Sequence, residues 1–164
     1  CAALLAQPWF RAVRGNHEDM LLRVLAGEIL LLDVWRQNGG DWALEGWQLN
    51  AAGRAAGMLC AGMPWAITLE HRSGRRFGIC HAQCPVADWG DIESVARDEE
   101  LQQQMLWARS RITRAHAPPV AGIDCTIPGH TVVHAPLRRA NALFIDTGVF
   151  LPGGALTLLD LDAT

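Results

Sequence analysis

Lysine is absent from this chain of 164 residues, and all fourteen of its basic residues are arginine. Any cation that binds a phosphate group here must therefore be an arginine, whose planar guanidinium can contact two oxygens at once. The formal net charge of −3 and the isoelectric point near 6.0 also argue against a dedicated nucleic-acid-binding protein, which is normally basic. Nucleic acid is therefore not expected as a partner.

Long apolar runs and a regular cysteine pattern are missing as well. No stretch approaches the roughly 20 apolar residues of a membrane span, because Glu28 and Asp33 interrupt the longest candidate. The five cysteines are an odd number at irregular spacing, which predicts buried thiols in the cytoplasm rather than a disulfide framework. Half of the residues are apolar and 19% are charged, as in a globular protein, and the length predicts one domain over residues 1–164.

The hydrophobic pattern alternates between strand and helix signals. An apolar run at 9–13, a glycine at position 15 and helical spacing over 18–26 predict a strand, a tight turn and a helix. The pattern also predicts further helices at 29–35 and 96–112, a hairpin at 65–72 and 75–81 around Ser73-Gly74, and strands at 120–127, 142–145 and 155–161. This alternation indicates an α/β fold.

Three histidines share one sequence layout, in which an apolar strand signal is followed by a polar turn. They are His17, which follows Asn16, and then His81 and His130. Strand ends that are distant in sequence can converge at one edge of a sheet. Such a group of Asn and His is a plausible site for a divalent or transition metal. From spacing alone, hydrogen-bonded structural histidines are an equal alternative.

The segment around His17 carries a resemblance to a known family. Residues 14–18 read R-G-N-H-E and resemble the third signature of the metallophosphoesterase superfamily, G-N-H-[DE]. The wider segment 8–18 is similar to the lambda-phage type of bacterial and phage serine/threonine protein phosphatase. Further matches follow in order: N-G-G-D-W at 38–42, I-C-H-A at 79–82, W-A-R-S-R-I at 107–112, G-H-T at 129–131 and I-D-T-G at 145–148. Several ordered motifs are far more specific than one, so the chain is identified as a member of this family.

The resemblance implies a division of roles among the site residues. Asn16, His81 and His130 are implied ligands of one ion of a two-metal centre, and His17 is the implied proton donor to the leaving alcohol. Arg109 is implied to bind the phosphate oxygens. The implied cofactors are two divalent ions, Mn²⁺ in the first place with Fe or Zn as alternatives. Two ions about 3.5–4 Å apart can lower the pKa of a bridging hydroxide and neutralise the phosphoryl charge during in-line attack.

The resemblance also implies the fold and the function. The expected architecture is a calcineurin-like, four-layer α/β/β/α sandwich, in which a central mixed β-sandwich is flanked by helices and the site lies at one edge. The implied activity is hydrolysis of phosphomonoesters, above all phosphoserine and phosphothreonine in a phosphorylated protein or peptide. No membrane partner is expected, and the sequence leaves the oligomeric state open.

Two signatures of the superfamily, G-D-x-H-G and G-D-x-x-D-R-G, are missing from the sequence. In the family they carry the ligands of the other ion, the bridging aspartate, an aspartate that orients the catalytic histidine and a second phosphate-binding arginine. The chain begins at Cys1 with an apolar stretch. We therefore expect these motifs, and the first strands of the central sheet, to lie upstream. The 164 residues alone are then the C-terminal portion of the domain and should be inactive.

Two other functions stay open at this point. Dinucleoside polyphosphate hydrolases of the diadenosine tetraphosphate type are similar around the third signature, but they tend to carry Asp where this chain has Glu18. A member of a different class would be a catalytically inactive binding module, which keeps the phosphatase fold without the ligands of one ion.

Three further histidines are assigned no chemistry. Many superfamily members have a second metal-binding histidine where this chain has Val132, and the lambda-phage type also lacks it. His134 is interpreted as a loop residue rather than as that missing ligand. His71 and His116 are interpreted as exposed surface residues.

Cys80 and Cys84 lie on either side of His81 and could suggest a zinc knuckle or a nucleophilic thiol. They form a single close pair with three residues between them, and no C-x₂-C partner accompanies them. Successive residues of a strand point to opposite faces, which separates Cys80 from His81. Buried structural thiols are the favoured interpretation.

Overall fold

The computed structural model describes residues 2–162 and shows a mixed α/β protein, as the sequence predicts. The chain divides between Pro64 and Trp65 into two compact units. Among residues 2–162, no helix is long and apolar enough to cross a membrane. The four-layer sandwich and the single-domain organisation stay predictions.

The first unit consists mainly of short helices. They are α1 (Ala2–Leu5), α2 (Asn16–Leu25), α3 (Leu31–Trp35) and α4 (Ala51–Cys60), and a hairpin of β1 (Leu44–Glu45) and β2 (Gln48–Leu49) precedes α4. Helix α2 contacts both α3 and α4, and it buries Met20, Leu21 and Val24. The helix ends at Leu25, one residue before the predicted end, and Gly27 adopts φ +102°, a backbone conformation that favours glycine.

The strand predicted at residues 9–13 is not formed. No strand of the described residues pairs with this segment, and Arg14, the residue after it, donates its backbone N–H to the carbonyl of Pro64 at 2.8 Å. An apolar run becomes a strand only where a neighbouring strand completes its ladder of hydrogen bonds. Helix α2 begins at Asn16, two residues before the start that the spacing predicts.

The second unit contains a mixed sheet of five strands. They are β3 (Ala66–Glu70), β4 (Arg76–Cys80), β5 (Cys125–Ile127), β6 (Leu137–Arg139) and β7 (Ala142–Phe144), arranged in the order β3-β4-β5-β7-β6. Strands β3 and β4 form the predicted antiparallel hairpin. Strand β5 is parallel to both β4 and β7, whereas β6 is antiparallel to β7. The sequence pattern misses β6, which has only three residues.

One predicted strand is longer than the observed one, and another is not formed. The strand predicted at 120–127 is confined to Cys125–Ile127, and the one predicted at 155–161 is replaced by irregular chain with an isolated bridge at Ala155. Leu159 and Leu161 nevertheless pack against the buried cluster that contains Phe77. The alternating apolar pattern of this segment therefore indicates which side chains face the core, although the backbone forms no ladder of hydrogen bonds.

Helices α5 (Glu99–Trp107) and α6 (Ser110–Thr113) replace the single helix predicted at 96–112. The side chain of Asp98 accepts hydrogen bonds from two backbone N–H groups of the next turn, which fixes the start of α5 at residue 99. Ala108 has an extended backbone, with ψ 146°, and this ends α5.

Gly78 of β4 lies against the indole of Trp89, which is 2% exposed. A Cβ at position 78 would come within 2.4 Å of that ring. We expect Gly78→Ala to lower the free energy of unfolding by about 1–3 kcal/mol, because a buried ring cannot move aside without strain. Gly62→Ala is the matched control, since a Cβ there meets no heavy atom within 4 Å. Urea unfolding of the full-length protein measures both, and equal stabilities would contradict the expectation.

Candidate active site

His81 and His130 meet at one edge of the sheet in the second unit. His81 follows β4 directly, and His130 lies three residues after the end of β5. These strands are parallel neighbours, so their carboxyl ends lie at the same edge. The structure therefore brings together two of the three residues predicted as metal ligands.

The two imidazoles and Arg109 form a chain of hydrogen bonds. His81 Nε2 lies 3.1 Å from His130 Nδ1, and Arg109 Nη2 lies 3.2 Å from His130 Nε2. A guanidinium can only donate, so His130 Nε2 accepts this bond. The neutral imidazole of His130 then carries its proton on Nδ1 and donates it to His81 Nε2. A single proton therefore lies between the two nitrogens. His130 Nδ1 carries it, and the lone pair of His81 Nε2 accepts it.

The backbone of His130 is held in a conformation that non-glycine residues seldom adopt. Its φ is +64°, in the left-handed region. Such a conformation costs on the order of 1–3 kcal/mol and persists only where neighbouring contacts enforce it. The N–H of Gly129 donates to the carbonyl of His81 at 2.7 Å, and the N–H of Thr131 donates to the carbonyl of Gly129 at 2.7 Å. This bonding aims the His130 side chain at His81.

Arg109 is positioned by the junction between α5 and α6. The N–H of Ala82 donates to the carbonyl of Met105 at 2.8 Å, which ties the end of α5 to the residue after His81. The buried side chain of Gln83 accepts from the Arg111 N–H at 3.0 Å and fixes the start of α6. Arg109 itself is exposed, so its guanidinium is accessible to a ligand.

Trp107 contacts the histidine cluster as well. Its indole packs edge-on against the His130 ring, with ring centroids 5.8 Å apart and planes at 87°. The motif at 107–112 includes Trp107 but does not predict this contact. The available signal was the position of Trp107 two residues before a predicted phosphate-binding residue.

The donor atoms of this cluster suit a metal ion. Two ligand nitrogens about 2.0–2.1 Å from one ion are about 2.8–3.4 Å apart when their angle lies between right and tetrahedral, and the two imidazole nitrogens here are 3.1 Å apart. An ion can replace the proton between them. Among residues 2–162, His, Cys, Asp and Glu form no group of three or more that could hold a metal. The spacing of His81 and His130 therefore fits one ion held by two imidazoles, and their role as ligands stays a prediction.

Asn16 and His17 occupy the first turn of α2 in the first unit. Asn16 is 3% exposed, whereas His17 is exposed. The Gly15 N–H donates to Glu18 Oε2 at 2.9 Å, and the Asp19 N–H donates to the Gly15 carbonyl at 3.0 Å. These bonds fix the helix start and hold His17 at the positive end of the helix dipole. Their roles as ligand and proton donor stay predictions.

The histidines outside the site differ in their surroundings. His116 is exposed, as the sequence predicts, and His134 lies in a loop, as predicted, where it is exposed. The interpretation of His71 as an exposed surface residue is wrong, because its side chain is 17% exposed and its Nε2 lies 2.6 Å from Asp162 Oδ1. The sequence gives no signal of this pair, since 91 positions separate the two residues.

Cys80 and Cys84 are buried free thiols, which confirms their structural interpretation. Burial raises the pKa of the Cys80 thiol and also the pKa of the Cys84 thiol. A protonated thiol is a poor nucleophile and a poor metal ligand. Neither residue belongs to the candidate active site.

The contact between Trp107 and His130 makes a testable prediction. We expect Trp107→Ala to weaken Mn²⁺ binding by about 10–100-fold, the usual effect of removing a group that supports a ligand. Trp107→Phe keeps an aromatic edge against the imidazole and should restore most of the affinity. Calorimetric titration of the full-length protein measures this. The exposed Trp47, replaced by alanine, serves as the control, and wild-type affinity in Trp107→Ala would rule out the supporting role.

Comparisons with known proteins identify relatives of nearly the whole chain. Serine/threonine-protein phosphatase 1 of Salmonella typhimurium is 36% identical over 159 residues, which cover 96% of this chain and 69% of that protein. Serine/threonine-protein phosphatase 2 of the same organism is 32% identical over 158 residues, covering 92% and 67%. Serine/threonine-protein phosphatase 2 of Escherichia coli is 30% identical over 152 residues, covering 88% and 65%. No protein-family profile matches the chain.

The relatives and the ordered motifs agree with each other. The similarity includes two proteins at 32–36% identity, and this chain covers about two thirds of the length of each. The resemblance is therefore confirmed at the level of the phosphatase family, while the lambda-phage type stays a prediction. The chain belongs to the serine/threonine-protein phosphatase family that these bacterial proteins represent.

Proposed function

We propose that this protein hydrolyses phosphomonoesters in a metal-dependent reaction, and that its substrates are phosphoserine and phosphothreonine side chains of proteins. The observation that carries the proposal is the meeting of His81, His130 and Arg109 at the carboxyl ends of β4 and β5. The two imidazoles can donate to a metal ion, and the accessible guanidinium beside them can bind an anion. The names of the relatives favour a phosphoprotein as the source of that anion.

The proposed metal ligands are Asn16, His81 and His130, for one of two divalent ions, with Mn²⁺ as the first choice. Bound divalent ions supply Lewis acidity for water and for the phosphoryl oxygens. An amide oxygen and two neutral imidazoles form a neutral ligand set, so the ion keeps its positive charge for an anionic substrate. A cytoplasmic location is part of the same proposal.

Arg109 is proposed to bind the phosphoryl group of the substrate. Its guanidinium contacts His130 Nε2 in this structure and is otherwise exposed. Two parallel N–H bonds to phosphate oxygens are stronger than one bond to a neutral imidazole nitrogen, because the acceptor is charged. A substrate phosphate should therefore displace His130 as the acceptor. This change orients the phosphoryl group beside the histidine pair.

His17 is proposed to protonate the leaving alcohol. A serine or threonine alkoxide is a poor leaving group, so a proton donor beside the ester oxygen assists bond cleavage. The exposed position of His17 on the first turn of α2 leaves its imidazole accessible to substrate. Its neighbour Asn16 is buried, as a group with a purely structural or ligand role would be.

The test compares two substrates on the full-length protein. With Mn²⁺ present, a phosphoserine peptide should be hydrolysed with a kcat/KM at least 100-fold above that for diadenosine tetraphosphate, and EDTA should abolish both rates. The reverse preference would replace the proposal by a dinucleoside polyphosphate hydrolase. Binding of the phosphopeptide without turnover of either substrate would instead identify an inactive binding module.

A further inference from the structure

A cavity of about 340 Å³ lies beside His17 within the first unit. It is lined by Leu5, His17, Glu18, Leu21, Trp35, Trp42, Ala56, Leu59, Cys60 and Met63. The volume is at the lower end of the range found for small-molecule sites, about 300–1,000 Å³. It therefore suits a side chain or a small ring rather than a whole nucleotide.

The inner wall of the cavity is rigid and apolar. Trp35 is 2% exposed, and Gly40 lies so close to it that a Cβ there would come within 2.5 Å of the indole. The Trp42 ring packs edge-on against Trp35, with centroids 6.3 Å apart. Burial also raises the pKa of the Cys60 thiol, which keeps this part of the wall uncharged. Trp42 itself is 59% exposed and forms the rim, where an incoming group can reach it.

The charges around the cavity disfavour the phosphoryl group as its occupant. His17, the proposed proton donor, is the one lining side chain that can carry a positive charge, because no arginine lines the cavity and the chain has no lysine. The carboxylate of Glu18 is the one acidic group of the lining, and it already accepts a hydrogen bond from the Gly15 N–H. A dianion or an acidic side chain would be desolvated here beside a negative charge. The cavity therefore favours an uncharged, apolar group.

A nucleobase fits the cavity less well than an aliphatic or aromatic side chain. Adenine has ring nitrogens and an amino group that require hydrogen-bond partners when they are buried. Apart from the Cys60 thiol, the polar groups of the lining are the side chains of His17 and Glu18 and the indole N–H groups of Trp35 and Trp42, which can only donate. A buried base would have to satisfy its whole polar edge with these few groups, whereas a leucine or phenylalanine side chain needs none.

We propose that this cavity binds an apolar side chain of the protein substrate, next in sequence to the phosphorylated residue. The inference rests on the proposed function, because His17, the proposed proton donor, forms part of the cavity wall. A neighbouring side chain that enters the cavity brings the scissile ester oxygen close to the His17 imidazole. The cavity then selects substrates by the residue beside the phosphoserine, and it discriminates against acidic neighbours.

The test is a series of phosphoserine peptides with Leu, Phe, Ala or Asp on either side of the phosphoserine. At one of the two flanking positions, the full-length enzyme should prefer Leu or Phe to Ala, with a kcat/KM about 10-fold or more higher. Burial of one such side chain is worth at least this factor. The Asp peptide should be poorer still. Trp42→Ala should reduce the preference to below about threefold.

Trp47→Ala is the matched control. Trp47 is 65% exposed in the same unit and does not line the cavity, so the preference should stay at the wild-type ratio. Equal rates across the peptide series, or equal effects of Trp42→Ala and Trp47→Ala on the preference, would overturn this inference and leave the proposed function standing. An enzyme that hydrolyses no phosphopeptide overturns the proposed function and this inference with it.

Discussion

Replacing His81 or His130 by alanine should weaken Mn²⁺ binding to the full-length protein by at least about 100-fold. Loss of a group that merely supports a ligand costs about 10–100-fold, and loss of the ligand itself should cost more. The 3.1 Å separation of the two ring nitrogens means that each variant leaves a single imidazole where a pair now stands. Calorimetric titration and metal analysis after dialysis measure the effect, and phosphatase activity should fall in parallel.

His134→Ala is the control for this experiment. His134 is an exposed loop residue four positions after His130, and it should retain wild-type metal binding and activity. Circular dichroism of each variant separates loss of metal from loss of fold. A folded His81→Ala protein with wild-type affinity would refute the assignment of this pair as ligands.

His17→Ala should lower kcat on a phosphoserine peptide by roughly 10²–10⁴-fold, the usual contribution of a positioned acid. Metal content should be unchanged, because His17 is proposed to donate a proton and not to bind the ion. The loss should be much smaller on p-nitrophenyl phosphate, whose leaving phenolate needs no proton. The quantity to measure is therefore the ratio of the two losses.

A purely structural role for His17 predicts a different outcome, namely equal losses on both substrates. His116→Ala provides the baseline, since that residue is exposed and has no proposed role. Equal losses on the two substrates in His17→Ala, with intact metal content, would refute the proton-donor role while leaving the metal assignment standing.

Much of the site could be predicted from local pattern. The alternation of Ile67 and Leu69 with polar residues across Ser73-Gly74 correctly predicts the β3–β4 hairpin. Strands β4 and β5 are parallel neighbours, so the residues that follow their carboxyl ends lie at the same edge of the sheet. His81 and His130 meet there. Helix α2 follows from the spacing of its apolar residues, although it begins two residues earlier and ends one residue earlier than predicted.

The failures occur where the outcome depends on a distant segment. Residues 9–13 have the composition of a strand, but a strand also needs a neighbour to pair with, and no strand of the described residues pairs with this segment. The break between α5 and α6 depends on the backbone of Ala108, which no propensity predicts. The contact of Trp107 with His130 joins residues 23 positions apart through their tertiary arrangement.

The parallel pairing of β4 with β5 has a consequence for folding kinetics. His81 and His130 are 49 positions apart, so the pairing closes a long excursion of chain before the two imidazoles can meet. Closing this loop costs chain entropy before the strand contacts can compensate for it. Such pairings therefore form slowly and late in folding. The proposed ion can therefore bind the histidine pair only in a nearly native chain. Added Mn²⁺ should slow unfolding far more than it speeds refolding.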